Sequence, residues 1–320
     1  MLPVSALLLL ASAGLSLCLG SRSYPLAALF TAERGGTVWQ VLMYVRLPRT
    51  AAGLASGAAL AVAGALLQTV LNNAMASPNV IGVNAGAGFF TVLCAALLPD
   101  TPGLLPPAAF FGALGTALLI YALAVRAGLG RMTLVLAGVA VSSILSAGLN
   151  ALSLLFPDVA VGASGFLMGE LRGVTLSAVG AAGPYLLAGF LLALLLSADL
   201  NVLQLGEEMA ASLGLAVSRT RFLAVLASAL LAGAAVSFAG LLGFAGLLVP
   251  HIVRRFTGGD NRLLIPCCAL CGGAFVLLCD VLARVLFAPF ELPVGIIMAL
   301  LGGPFFLHLL LHHKRGRVYD

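Results

Sequence analysis

From Phe222 to Val253 the chain runs for 32 residues without an aspartate, glutamate, lysine or arginine. A helix rises about 1.5 Å per residue and roughly 20 residues cross the hydrocarbon of a bilayer, so the run is too long for one untilted span. Gly240, Gly243, Gly246 and then Pro250 offer places to turn. The run is therefore expected to form a tight hairpin whose second helix is short. The rest of the chain has the same character, with 62% hydrophobic and 8% charged residues and a mean hydropathy of +1.15. A water-soluble domain needs far more charge to cover its surface. A β-barrel would show alternating segments of about 10 residues instead of continuous apolar runs. The fold class is all-α: a polytopic membrane protein forming one domain over residues 1–320.

Apolar stretches bounded by charges or turn residues predict ten helices, at about 3–20, 51–71, 82–98, 108–125, 132–156, 176–197, 222–239, 243–256, 264–287 and 293–312. The first resembles a signal-peptide core but lacks its charged flank and is long enough to span. In this ten-span arrangement ten of the 16 basic residues, among them Arg126, Arg131, Arg254, Arg255 and Lys314, fall on the side of the termini. The other six are Arg22, Arg34, Arg46, Arg49, Arg172 and Arg284. The excess places both termini in the cytoplasm. Four of the six outside arginines sit in one predicted loop and call for their own explanation. An internal repeat supports the count. Gly57-Ala-Ala-Leu-Ala-Val-Ala-Gly64 matches Gly233-Ala-Ala-Val-Ser-Phe-Ala-Gly240 at five of eight positions. The match sets the second span over the seventh, an odd offset that inverts one half on the other, with pseudo-repeats at about 45–175 and 222–312.

Several functions are excluded or disfavoured by composition. The single lysine, Lys314, lies between His313 and Arg315, so the chain has no G-x-x-x-x-G-K-[ST] loop to cradle a nucleotide. ATP, if used, is hydrolysed on another polypeptide. The net charge of +5 comes from arginines scattered among loops, which argues for topology signals and against a nucleic-acid patch. The Cys267-Cys268-x-x-Cys271 cluster has Ala, Leu and Gly neighbours, an apolar setting suited to helix packing and not to a thiolate metal site. Val249-Pro250-His251 has no carboxylate or cysteine at ligand spacing, and His308, His312 and His313 trail along one helix end. No metal, cofactor or catalytic residue is expected. Glycines spaced by four, Gly53 with Gly57 and Gly82 with Gly86, allow close helix approach.

Charge returns in Leu205-Gly-Glu-Glu-Met-Ala-Ala-Ser-Leu-Gly-Leu215, within a segment of about 200–220. It reads as a short amphipathic helix that Gly214 can end. Projecting into the cytoplasm it could seat in a groove on a soluble partner, or lie at the interface as an ordinary loop helix. This E-x-A-x-x-x-G loop resembles the coupling motif of ABC-importer permeases. The chain as a whole resembles the iron-siderophore, haem and vitamin B12 permease family (FecCD-type). The matching residues are Arg46-Leu-Pro-Arg49, Gly57 to Gln68, Ala76-Ser-Pro-Asn-Val-Ile-Gly82, Leu136-Ala-Gly138, Gly243 to Arg254, Glu291-Leu-Pro-Val-Gly295 and Gly303-Pro-Phe305.

The resemblance implies a type II ABC importer permease of ten spans that works as a dimer, with a second copy or a paralogue. Its partners would be two ABC ATPase subunits and an extracytoplasmic substrate-binding protein, in a prokaryotic plasma (inner) membrane. Arg46, Arg49 and Arg284, the last four residues after Asp280, map onto arginines that engage acids of the binding protein. From the residues alone, Arg46 and Arg49 could equally anchor a helix at the headgroups and Arg284 neutralise Asp280. Glu207, Glu208, Ala210 and Gly214 map onto the ATPase-coupling loop. Asn73 and Met75, with Met132 and Thr133 as a second set, map onto a cytoplasmic gate; Ala74 stands where the family has proline, so the local turn is expected to differ. The implied cargo is a metal chelate, foremost a ferric siderophore, with haem or cobalamin as alternatives; helices five and ten would line its path at the dimer interface. The competing classes are an ion-coupled secondary transporter, for which one aspartate well inside a helix is thin support, and a membrane scaffold. Neither accounts for the acidic loop.

Overall fold

The architecture is built around one long central helix. The computed structural model describes residues 1–320 except 21, 26, 28–30, 32, 129, 130 and 314–320, so Lys314, Arg315 and Arg317 lie outside the described residues. In chain order α1 is Leu2–Cys18 and α2 is Thr37–Val70, which includes a π-helical stretch at Val41–Arg46. Next come α3 Val83–Leu97, α4 Leu105–Arg126, α5 Arg131–Leu155 and α6 Pro157–Met168. Then follow α7 Leu176–Leu195, α8 Ser197–Leu203, α9 Glu207–Ser212, α10 Val217–Ala239, α11 Ala245–Thr257, α12 Asn261–Val285 and α13 Val294–His313. Six of these are long and apolar enough to cross a membrane, and α1, α3 and most of α13 are shorter apolar helices. With the 13-residue α11 they correspond one for one to the ten helices expected from sequence.

Two differences have physical causes. The second helix begins at Thr37, well before residue 51, because Arg46-Leu-Pro-Arg49 is helical and not loop. The Leu47 N–H donates to the Leu42 carbonyl, and this wider turn precedes Pro48, which lacks an N–H and sits in the first turn of the α-helical stretch. The second difference is α6, which falls in a stretch expected to be a connection. Its signals are ordinary: Pro157 and Asp158 open it, and Gly169 at φ +75° closes it. The expected hairpin does form, with Gly240–Phe244 joining α10 to the short α11. Gly240 has φ +72°, and a Cβ there would lie 2.5 Å from the Phe166 carbonyl oxygen.

Helix α2 is the most enclosed of the six long spans; α10, α11 and α12 pack around it. Small residues make this possible. A Cβ on Gly57 would lie 2.2 Å from the Gly272 carbonyl oxygen of α12, and one on Gly64 would lie 1.7 Å from the Gly246 carbonyl oxygen of α11. In lipid there is little hydrophobic drive between helices, so such close backbone packing supplies much of the association. The Ser228 hydroxyl adds a bond to the Ala63 carbonyl at 3.1 Å. In contrast, α5 is largely unpacked, with 11% of its apolar window buried.

Candidate functional site

The end expected to face outward holds a cluster of charge built from three elements. The junction between the π-helical and α-helical stretches of α2 supplies Arg46 and Arg49, the last turns of α12 supply Asp280 and Arg284, and the connection before α13 supplies Glu291. Asp280 is fully buried and lies between two guanidinium groups, Arg49 Nε at 2.9 Å and Arg284 Nη2 at 3.0 Å. Arg49 Nη1 also reaches Glu291 at 2.7 Å. Arg284 and Arg46 turn towards the end of α1, whose last carbonyls have no helical partner. Arg284 donates to the Leu19 and Ser16 carbonyls at 3.0 and 3.2 Å, and to the Ser16 hydroxyl at 3.1 Å. Arg46 donates to the Cys18 carbonyl at 2.7 Å and to the carbonyls of Leu17 and Arg22, and its guanidinium lies 4.8 Å from the Tyr24 ring. Two cations at the negative end of a helix also complement its dipole.

The three arginines expected at an outward docking surface therefore converge, but they are buried, at 5, 6 and 3% exposure for Arg46, Arg49 and Arg284. Their hydrogen bonds tie α1, α2 and α12 together. Three guanidiniums against two carboxylates leave this cluster one positive charge in excess. The capping of α1 by Arg46 and Arg284 was not legible in sequence, because backbone carbonyls carry no sequence signature.

At the end expected to face the cytoplasm, α9 presents Glu208 and Met209 to solvent, with Leu205 and Leu213 exposed on either side, while Ala210 is fully buried. Gly214, at φ +85°, turns the chain so that the Leu215 N–H donates back to the Ala210 carbonyl at 3.0 Å. Glu207 forms an ion pair with the buried Arg221 of α10. Helix α8, which leads into this segment, is fastened to the α11–α12 turn. The Asn201 amide donates to Asp260 at 2.7 Å, and its oxygen accepts from the Asn261 backbone and side chain at 2.7 and 2.9 Å. The Gln204 amide donates to the Gly259 carbonyl at 2.9 Å. Asp260 is held below the usual carboxylate pKa, first by the Asn201 amide and then by the Arg262 N–H. Asn201 was not anticipated from sequence; its partners are 59 and 60 residues away.

The same end carries the remaining candidates. The Thr69 hydroxyl, in the last turn of α2, bonds Asn261 at 3.2 Å, and two residues beyond α2 the chain turns at Asn72, φ +43°. Asn73 Oδ1 accepts from the Met75 N–H at 2.9 Å, so an Asx-turn shapes a segment that has alanine at position 74. Asn73 is exposed and Met75 half-buried. Met132 is exposed and Thr133 half-buried at the start of α5. Further along α5, a Cβ on Gly138 would lie 1.9 Å from the Val80 carbonyl oxygen, so α5 rests on the turn that follows Met75.

Elsewhere, His251 lies edge-on to Phe305 with ring centroids 6.2 Å apart. The six cysteines are free thiols, with Cys267, Cys268 and Cys279 buried in helix contacts. No group of three His, Cys, Asp or Glu suited to a metal occurs among the described residues. The side chains of His312 and His313 lie outside the described residues.

Residues 8–312 match the FecCD transport family. The chain is 36% identical over 310 residues to the hemin transport system permease protein HmuU of Yersinia pestis, covering 93% of this chain and 91% of that one. It is 39% identical to the Fe(3+) dicitrate transport system permease protein FecD of Escherichia coli, covering 94% of each. Identity reaches 44% over 268 residues with the cobalamin import system permease protein BtuC of Halobacterium salinarum, covering 83% of this chain and 72% of that one. Among solved structures, an inward-facing conformation of a putative metal-chelate type ABC transporter superposes with a TM-score of 0.86 at 30% identity, covering 97% of this chain and 98% of that one.

Proposed function

The chain belongs to the FecCD transport family, whose members here are permeases of ABC importers for haem, ferric chelates and cobalamin, and on that premise we propose that it carries a ferric siderophore through a bacterial or archaeal plasma membrane. ATP is hydrolysed on partner ATPase subunits, and an extracytoplasmic binding protein delivers the cargo. The observation that carries this reading is α9. A six-residue helix that exposes Glu208 and Met209, flanked by exposed Leu205 and Leu213, while burying Ala210 and holding the exposed Glu207 to Arg221 of α10, is shaped to enter a groove on a soluble protein. A free interfacial helix would point its apolar side chains into the bundle or the headgroups instead.

The mechanism follows from what α9 is attached to. Closure of the ATPase dimer would push on α9. Because α8 is bonded through Asn201 to the α11–α12 turn, and Asn261 bonds Thr69 at the end of α2, the push reaches the turn carrying Asn73 and Met75, the proposed cytoplasmic gate, with Met132 and Thr133 at the start of α5 as its second set. The excess positive charge at the outer end would draw the acidic face of a binding protein, Arg46, Arg49 and Arg284 acting through their field and, on docking, by partner exchange. Charge of this kind steers association more than it adds affinity. A second permease subunit, either another copy or a paralogue, would cover the exposed side of α5 and α13 and enclose the path. The inverted repeat belongs to the same reading: Gly57 of α2 meets α12, while Gly233 of α10 meets Phe110 of α4, the exchange of partners that a five-span offset requires. On this reading both termini lie in the cytoplasm, the side that holds the excess of arginine and lysine.

The test is ATPase activity of the reconstituted permease, ATPase and binding protein. Glu208→Arg should abolish assembly or coupling. The pair Arg46→Glu and Arg49→Glu should remove stimulation by the binding protein. A wild-type chain that neither recruits an ATPase nor responds to a binding protein would leave ion-coupled transport as the leading function.

A further inference from the structure

Helices α1 and α11 both border α12, which is left between them as the floor of a groove of about 400 Å³. Val4 and Leu8 of α1, Ile252 and Phe256 of α11, and Cys271 and Phe275 of α12 are among its lining residues. The lining runs from Met1 to Leu8 on one wall and from Leu248 to Phe256 on the other. That is about 10–12 Å along the helices, within the hydrocarbon depth of one leaflet. Ser5 is the one hydroxyl among the lining residues, and it already donates to the Met1 and Leu2 carbonyls, each at 3.1 Å. The groove therefore offers an occupant hydrocarbon contact and no free hydroxyl.

Two observations say what covers it. The first is the pattern of α1, whose three serines, Ser5, Ser12 and Ser16, are all buried, with Ser16 bonded to Thr50 of α2 and Ser5 within 3.9 Å of Cys267 of α12. Its outer face holds Val4, Leu7 and Leu10, 66, 71 and 72% exposed. A helix whose hydroxyls all turn inward and whose outside is aliphatic is presented to lipid, unlike α5 with its small and polar outer face. The second is charge at the Phe256 end of the groove. Arg255 is exposed there and takes no hydrogen bond or ion pair among the described residues. Arg254 bonds Thr69, and Arg262 follows Asp260, whose carboxylate is bonded to Asn201 of α8. With the half-buried Asp199 of α8 included, three arginines face two acids, and Arg255 is the arginine that borders the groove.

We infer that one anionic phospholipid of the cytoplasmic leaflet occupies this groove, with an acyl chain on α12 between α1 and α11 and its phosphate against the Arg255 guanidinium. Arginine at the cytoplasmic mouth of an apolar cleft between spans is the arrangement that recognises such a headgroup. The site has a structural consequence. Helix α11 joins the Gly240–Phe244 hairpin to the turn that Asn201 fastens to α8, and the acyl chain gives its outer side packing that the chain itself does not supply. Only the choice of leaflet rests on the importer reading above.

The experiment has two readouts on the full chain. In the first, Val4→Trp is made together with Trp39→Phe, which removes the single native tryptophan, so that emission reports the groove. The protein is reconstituted in phosphatidylcholine vesicles in which a minor share of the lipid is brominated on its acyl chains, either as phosphatidylglycerol or as phosphatidylcholine. At equal mole fraction the brominated phosphatidylglycerol should quench more strongly. Arg255→Gln should lower its relative affinity by about fivefold, the effect of one arginine at a membrane surface, while Arg126→Gln, on α4 at the same end, should leave it unchanged. Equal quenching by the two lipids assigns the groove to unselective bulk lipid and overturns the inference. So does a preference that survives Arg255→Gln, or one that Arg126→Gln weakens as much. Emission quenched by neither lipid shows that protein covers the groove, and overturns it too. In the second, with the native tryptophan in place, phosphatidylglycerol added to the detergent-solubilised chain should raise its melting temperature more than phosphatidylcholine does, and Arg255→Gln should remove the difference. Equal shifts from the two lipids overturn the site. Neither readout uses ATP or cargo, so a chain that binds the lipid yet fails as an importer removes the importer reading and leaves this one standing.

Discussion

Asp280 is fully buried and holds two arginines that also hold other things: Arg49 reaches Glu291, and Arg284 reaches the end of α1. Removing one partner from a buried ion pair costs about 3–5 kcal/mol, because the charge left behind has no water to turn to. Asp280→Asn should therefore lower the melting temperature of the detergent-solubilised chain markedly, and Arg49→Gln by a similar amount. A melting temperature unchanged by either would show that the cluster is not a structural tie. The same measurement separates folding from docking, since loss of binding-protein stimulation in a chain that melts normally assigns the arginines to the partner. At the other end, Asp260 bonded to Asn201 titrates below an ordinary carboxylate. A depressed folded pKa contributes stability above the unfolded value of about 3.9 and loses it as pH falls through the lower folded value. Asp260→Asn should then lower the melting temperature slightly at neutral pH and flatten the acid limb of the profile below about pH 4, and a limb identical to wild type would refute this tie. The i,i+4 spacing of Asp280 and Arg284 was legible in sequence. Their joint use of Arg49 and the α1 carbonyls was not, because it depends on residues more than 200 positions apart.

Among the elements, α9 and the glycine-packed helices make opposite demands. Met209 is exposed, so Met209→Arg should change stability by no more than about 0.5 kcal/mol while abolishing co-purification with the ATPase; retained co-purification would remove α9 from the interface. Gly64 tolerates nothing larger, because the Gly246 backbone fills the space. Gly64→Leu should yield aggregate instead of a monodisperse peak on size exclusion, since backbone cannot move aside as a side chain can. Gly180 in α7 has nothing within 4 Å of its Cβ direction. Gly180→Ala should be neutral, or stabilising by about 0.5–1 kcal/mol through helix propensity. Nothing in the local pattern ranks these two glycines, each lying in an apolar run. Helix α6 did carry its own marks: Pro157, Asp158 and Gly169 are start and stop signals, masked because a 12-residue helix is too short to span.

For the molecule as a whole, the unequal burial of its spans matters most. Helix α2 is enclosed, while α5 exposes small and polar residues such as Ala140, Ser143, Ala147 and Asn150 along much of its length. A second subunit on this side accounts for them. Ala147→Cys should crosslink to that subunit in membranes and double the apparent mass, and a single-chain band under strong oxidation would place lipid there instead. The sequence by itself determined what solvent and chain length dictate: membrane residence, ten helices, the hairpin at Gly240–Phe244 and the short acidic helix. These follow from hydropathy runs, glycine and proline positions and charge, all local properties. Tertiary structure alone decided that Arg46, Arg49 and Arg284 turn inward and that Asn201 ties α8 to the α11–α12 turn. Each depends on which backbone atoms and open spaces a distant segment brings alongside, and pairings of that range leave no mark in the local pattern of a chain.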